Sequence, residues 1–256
     1  MLTDPSFRNL LQRGSPVLSA WCGLPEPSVP GLLAREAFDA VTLDMQHGAI
    51  DFSAALRAVP LIAAAGKPAL VRIPVGDFAS ASRFLDAGAS GVIAPMINSV
   101  EDARRLAGFT KFPPVGERSW GPQGALALSG LEPAAYFQQA NELTVTFAMV
   151  ETREALAVID GILAVPGIDG VFIGPSDLSI ALSEGRELNP TAAEVEQALD
   201  HAVSRARAAG KLAAVYAASG SRAAELGRRG FQFISVASDT VLLRSGAQAA
   251  LAAARA

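Results

Sequence analysis

Short apolar runs alternate with helical patterns along the whole chain. The runs cover 17–24 (VLSAWCGL), 40–45 (AVTLDM), 68–73 (PALVRI), 91–97 (GVIAPMI), 144–150 (TVTFAMV), 170–173 (GVFI), 211–217 (KLAAVYA) and 231–237 (FQFISVA). They are continuously apolar, which suits strands buried on both faces of a parallel sheet. The intervening segments carry helix signals. DFSAALRAVPLIAAAG opens on Asp51 and DFASASRFLDAG opens on Asp77, both expected N-caps, and the second stops at Gly88. NPTAAEVEQALDHAVSRARAAG predicts a helix with Asn189 as N-cap, Pro190 at its first position and Gly210 at its end. Within it Val195, Leu199 and Val203 recur at four-residue spacing and make an apolar stripe. The tail AQAALAAARA predicts a small-residue helix that packs on its own barrel or on a neighbouring subunit.

Strand and helix alternate eight times in 256 residues, and no linker, charge run or low-complexity segment divides them. The pattern predicts an α/β fold, a single (β/α)8 TIM barrel domain over residues 1–256. A doubly wound open sheet is the competing arrangement. It would want a phosphate-binding glycine fingerprint after its first strand, and CGLPEPSVPG is not one.

Composition narrows the function more than the fold. Half the residues are hydrophobic, 18% are charged and the mean hydropathy is +0.31. Roughly a quarter charged is usual for soluble domains, so the shortfall predicts a large two-sided core or surface buried between subunits. A net charge of −4 offers no basic footprint for nucleic acid. The single Cys22 excludes an intramolecular disulfide framework and a thiolate metal cluster. MLTDPSFRNLLQRG has no signal-like apolar core, and no apolar run is long enough to span a bilayer. A cytoplasmic protein is expected, without membrane partners.

In a (β/α)8 barrel the chemistry sits at the C-terminal ends of the strands. Asp44 and His47 follow the second run in TLDMQHGAI, Arg72 ends the third, Glu151 follows the fifth in FAMVETREA, and Asp177 follows the sixth in VFIGPSDLS. Glu151 and Asp177 come from neighbouring strands, spaced about 4.8 Å apart, so they can share one hard divalent cation whose shell is completed by water and substrate. Either could instead cap a local helix. Arg72 is placed to oppose an oxyanion, or to pair with Glu151 or Asp177. His47 is the candidate general base, or a hydrogen-bonded loop histidine. His201 falls inside a helix and reads as structural. IGPSD is a tight turn feeding a helix, whose free N–H groups suit a carboxylate. Lys67, Lys111 and Lys211 all lie away from the strand ends where an imine would form, so Schiff-base aldol chemistry is not expected.

LDMQHG, VRIP, FLDAGASGVIAPM, MVETREAL and GIDGVFIGPSDLS together resemble the HpcH/HpaI aldolase family, the metal-dependent class II pyruvate aldolases. The resemblance runs from SAWCGL to the last strand. It implies a barrel assembled as a hexamer, a trimer of dimers, with the C-terminal helix exchanged between subunits. It implies Glu151 and Asp177 as ligands of Mg²⁺, Mn²⁺ or Co²⁺. His47 stands where the family has its base, and Asp86 where an acid raises that base's basicity. Arg72 matches the transition-state stabiliser. Ser176, with Gly174 and Pro175, matches the turn that receives the pyruvate carboxylate, and Asp44 and Trp21 match rim positions. Met149 departs from the pattern, which has a substrate-contacting glutamine there. In GERSWGPQG the bulky Trp120 is expected to narrow the aldehyde pocket. The activity implied is reversible cleavage of a 4-hydroxy-2-oxoacid to pyruvate, or a close 2-oxoacid, plus an aldehyde. A malyl-CoA-type acyl-CoA lyase and a non-catalytic 2-oxoacid-binding barrel are the alternatives.

Overall fold

The computed structural model describes residues 7–256. The reading of the N-terminal segment rests partly on residues 1–6, which lie outside the described residues. Eight parallel strands close into a barrel in sequence order. They are β1 (Val17–Cys22), β2 (Ala40–Asp44), β3 (Ala69–Arg72), β4 (Gly91–Ala94), β5 (Val145–Val150), β6 (Gly170–Ile173), β7 (Leu212–Ala217) and β8 (Phe233–Ser238). All eight apolar runs are therefore strands. Several stop short of the run because its last residues turn into the rim loops: Gly23 and Leu24 leave β1, and Met96 and Ile97 leave β4.

Two packed layers follow from the alternation of side chains along each strand. Outward residues such as Val41, Val71, Val92 and Ile173 meet the helices. Inward residues, among them Leu70, Ile93, Phe147, Phe172 and Phe233, fill the barrel. Phe7, on the short helix Phe7–Leu11, joins this inner cluster and packs edge-on against Phe233 at 5.4 Å between ring centroids.

Asp51 caps the helix Phe52–Ala64 by accepting from the Ala54 N–H, and Asp77 caps Phe78–Asp86 by accepting from the Ser80 N–H. Gly88 follows the second at φ +102°, a left-handed backbone that only glycine adopts cheaply. The expectation at Asn189 is corrected: that helix runs Ala193–Ala208, with Ala192 at its N-cap. The Asn189 Oδ1 instead accepts from the Thr191 N–H and hydroxyl, at 3.2 and 3.0 Å. This local turn satisfies the side chain before the helix begins and leaves Pro190 outside it.

The final helix spans Asp239–Arg255. Asp239 is the buried residue of this helix, its Oδ2 accepting from the Gly23 and Leu24 N–H groups at 3.0 and 2.9 Å. From Leu243 onward the helix is exposed. An apolar groove of about 420 Å³, lined by Pro16, Leu18, Ala223, Ala224 and Val236 among others, lies open on the outside of β1 and β8. No helix among the described residues is long and apolar enough to cross a membrane.

Candidate active site at the C-terminal rim

A cavity of about 220 Å³ sits at the C-terminal ends of the strands. Its lining includes Trp21, His47, Arg72, Met149, Gly174, Pro175, Ser176 and Asp177, all expected from the sequence, together with Phe172, Tyr216 and Ser238, which were not. A larger cavity, about 680 Å³, lies at the other end of the barrel beside Arg8, Asp169 and Lys211 and holds none of the expected residues.

Arg72 organises the cavity. Its Nε donates to Asp44 Oδ1 at 2.8 Å and its Nη2 to Asp44 Oδ2 at 2.7 Å. Both side chains are buried. The guanidinium lies over the Trp21 ring at 4.7 Å, and Trp21 Nε1 donates to Asp44 Oδ2 at 3.1 Å. Burial by itself would raise the Asp44 pKa, but the Arg72 guanidinium, with N–H groups of His47 and Trp21, holds it below the ordinary carboxylate value. Asp44 is therefore not a free rim acid, as expected from the sequence, but the group that fixes Arg72. The alternative pairing of Arg72 with Glu151 or Asp177 is not made. The remaining nitrogen, Nη1, makes one long hydrogen bond, to the Met149 Sδ at 4.0 Å, and both residues line the cavity.

Glu151 lies just past β5, almost fully buried. Its Oε1 accepts from the Met96 N–H at 2.9 Å, from a residue held at φ +55°. Its Oε2 is buried and has no hydrogen-bond partner. Burial, reinforced by the charge of Asp177 and opposed by the Met96 N–H and Arg72, raises the Glu151 pKa to about 7. Neither acid is a helix cap. Thr152 caps Arg153–Ala157, and Gly174 precedes Pro175–Leu182, with Asp177 in that helix's first turn. Gly174 is required here, since a Cβ would stand 2.5 Å from Glu151 Oε2 and 2.6 Å from Met149 Cε. Among the described residues no three of His, Cys, Asp and Glu converge as a metal cluster. A buried, unbonded carboxylate oxygen beside a second carboxylate nevertheless fits one hard cation with open positions. Ser176 and Asp177 follow Pro175 in the first helical turn, where N–H groups have no partner within the helix.

His47 is exposed at the cavity mouth, and its backbone N–H donates to Asp44 Oδ1 at 3.4 Å. Asp86 does not join it. Asp86 ends the helix Phe78–Asp86, just upstream of β4, so it lies at the opposite end of the barrel. It pairs there with the buried Arg118 at 2.6 Å. Trp120 is also far from the cavity: it packs on Phe112, Tyr136 and Phe137 and does not narrow the cavity of its own chain. Lys111 is buried below β5, bonded to the Asn141 and Thr144 carbonyls and to Asp169, so the lysine expected to lie away from the strand ends does so.

Tyr216 escaped the sequence reading because KLAAVYA looks like a plain apolar strand, and Ser238 because it lies one residue past the run FQFISVA. The signal available was register: Tyr216 falls on the inward alternation of β7, near the rim end.

A family model described as HpcH/HpaI aldolase/citrate lyase matches residues 19–246. The chain is 41% identical to a hydroxypyruvate/pyruvate aldolase of Rhizorhabdus wittichii over 97% of its own length and 98% of the relative's. It is 34% identical to a 4-hydroxy-2-oxo-heptane-1,7-dioate aldolase of Salmonella typhi, covering 95% of this chain and 92% of that one. Among solved structures, an HpcH/HpaI aldolase from Desulfitobacterium hafniense superposes with a TM-score of 0.88 at 27% identity, over 97% of this chain and 96% of that one.

Proposed function

The chain belongs to the HpcH/HpaI aldolase/citrate lyase family, and from that premise we propose that it is a metal-dependent lyase catalysing reversible aldol cleavage of 4-hydroxy-2-oxoacids to pyruvate, or a close 2-oxoacid, plus an aldehyde. The observation that carries this reading is the buried Glu151 Oε2, which has no hydrogen-bond partner, feels the charges of Asp177 and Arg72, and lies against Gly174 behind the small cavity that Arg72, Gly174 and Asp177 line. The aldolase relatives favour it over an acyl-CoA lyase or a simple binding barrel.

Glu151 and Asp177 would hold a divalent cation, Mg²⁺, Mn²⁺ or Co²⁺, which supplies Lewis-acid polarisation of the substrate's keto group when bound. The N–H groups at the start of Pro175–Leu182, with the Ser176 hydroxyl, receive the substrate carboxylate. Arg72 Nη1 donates to the keto oxygen, where negative charge collects as the C3–C4 bond breaks. Asp44 prevents the guanidinium from turning away. His47 takes the proton of the C4 hydroxyl, so the C4–O electrons form the aldehyde and the C3–C4 pair moves toward the keto group. Proton return to C3 then gives the methyl group of pyruvate. Met149 cannot donate a hydrogen bond, and its Sδ holds Nη1 only through a long 4.0 Å contact that a substrate oxygen can replace.

Because Asp86 and His47 lie at opposite ends of one barrel, Asp86 can support the base only from a neighbouring subunit. The exposed final helix and the apolar groove on β1 and β8 support the same kind of assembly: the helix of one subunit covers the groove of another, within a hexamer built from dimers. The cytoplasm is the compartment proposed.

The test is exchange of the pyruvate methyl protons in D₂O, followed by NMR. Exchange by enzyme reloaded with Mg²⁺, Mn²⁺ or Co²⁺, and none by metal-stripped enzyme, is the expected result. Folded protein that exchanges with no metal present, or with none of the three, overturns the reading.

A further inference from the structure

The cavity has two unlike walls. One, at the ends of β5 and β6, carries Met149, Asp177 and the turn at Ser176, with Glu151 buried behind Gly174; the proposed function commits Glu151, Asp177 and the turn to the cation and the carboxylate. The other is made by β7, β8 and β1 through Tyr216, Ser238 and Trp21. Under the aldolase reading, the part of the substrate beyond C3, which departs as the aldehyde, extends away from the first wall and toward this second one.

Most polar atoms of the second wall are occupied. Trp21 Nε1 donates to Asp44. The Ser238 hydroxyl bonds the Thr240 hydroxyl at 2.8 Å and caps the final helix by accepting from the Val241 N–H. Tyr216 differs. Its ring is held edge-on to Trp21 at 5.5 Å between centroids, half-buried, and its hydroxyl has no hydrogen-bond partner among the described residues. Burial, opposed by Arg72 and reinforced by Asp44, raises its pKa above that of an ordinary phenol, so it stays protonated near neutral pH. A phenol fixed in a pocket wall with no protein partner either meets water or meets a polar atom of the ligand.

Resting on the aldolase reading, we infer that Tyr216 is a specificity-determining residue: its hydroxyl hydrogen-bonds the acceptor half of the substrate and selects short aldehydes carrying a hydroxyl group next to the carbonyl over their deoxy counterparts. An aldehyde with a bare alkyl group would exclude water from the phenol without replacing its bond, and an unmet buried donor is costly.

The experiment compares kcat/KM for glycolaldehyde and acetaldehyde, each with pyruvate, in metal-loaded wild type and in Tyr216→Phe, which keeps the ring against Trp21. Wild type is expected to prefer glycolaldehyde by about tenfold or more, and the preference is expected to fall about tenfold in the variant, the worth of one such hydrogen bond. The ratio is read whatever the absolute rates, so general damage to the site does not mimic it. A wild type without the preference, or a variant that keeps it, overturns the inference. Pyruvate methyl exchange by wild type, run in parallel, separates this from failure of the aldolase reading: exchange with no aldehyde preference rejects Tyr216 alone, whereas absence of exchange rejects both.

Discussion

Arg72 and Asp44 meet through two parallel hydrogen bonds, 2.8 and 2.7 Å long, between neighbouring strands β3 and β2 in direct register. The pair leaves one guanidinium nitrogen for the substrate and uses the rest for position. Replacing Asp44 with Asn should strand a buried cation, costing about 3–5 kcal/mol of stability. It should also lower kcat on the order of a hundredfold by releasing the donor aimed at the keto oxygen. Thermal unfolding and steady-state kinetics check the two effects. A variant with wild-type kcat would show that Arg72 does not need its partner.

The same pair sets an acid limit. The folded-state pKa of Asp44 lies below its unfolded value near 3.8, so its contribution to stability is full above that value. It is lost as pH falls through the lower folded pKa. Lowering the pH from 7 to 5 should therefore leave this contribution intact, and Asp44→Asn should lose stability over that whole range. Unfolding midpoints at pH 7, 5 and 3 measure it.

Glu151 behaves oppositely. Its folded pKa of about 7 is raised above the ordinary 4.5, so the metal-free protein binds an extra proton between those values and loses stability as pH rises through 7. A cation needs the ionised form. Cation binding should therefore release protons at pH 6, release fewer at pH 8, and tighten across that interval, as read by calorimetry in buffers of different ionisation enthalpy. Glu151→Gln should abolish the metal-induced rise in Tm and make the metal-free protein more stable above pH 7.

His47 and Asp86 offer a test of assembly. His47→Ala and Asp86→Asn should each suppress turnover, with His47→Ala leaving metal binding intact. If the acid comes from a neighbouring subunit, mixing the two variants through a dissociation and reassociation step should restore part of the activity, because some mixed interfaces hold both native residues. No recovery from correctly reassembled mixtures would reject the shared dyad.

Removing residues 243–256, or introducing Asp at Leu243 and Leu251, should shift the protein to smaller species in analytical ultracentrifugation. Both leucines are exposed, at 68% and 53%, on a helix that packs little against its own barrel. An unchanged assembly would show that the groove on β1 and β8 is covered some other way.

The eight strands and the rim positions of Arg72, Glu151 and Asp177 were determined by the sequence itself, because each depends on local quantities: unbroken apolar runs, caps such as Asp51 and Asp77, and the rule that loops after strands carry the chemistry. Pairing across the barrel was not local. That Asp44 is spent on Arg72 follows from the register of β2 on β3, and that Glu151 keeps one oxygen unbonded follows from where Met96 delivers its N–H. The separation of Asp86 from His47 follows from the helix returning against the strand direction, which carries its last residue to the far end. Asn189 does not cap the helix because its side-chain oxygen is taken up in a local turn with Thr191, three residues before the N-cap at Ala192. Tyr216 reached the cavity only because strand tilt and closure aim alternate residues inward, a property of the closed barrel that no single segment contains.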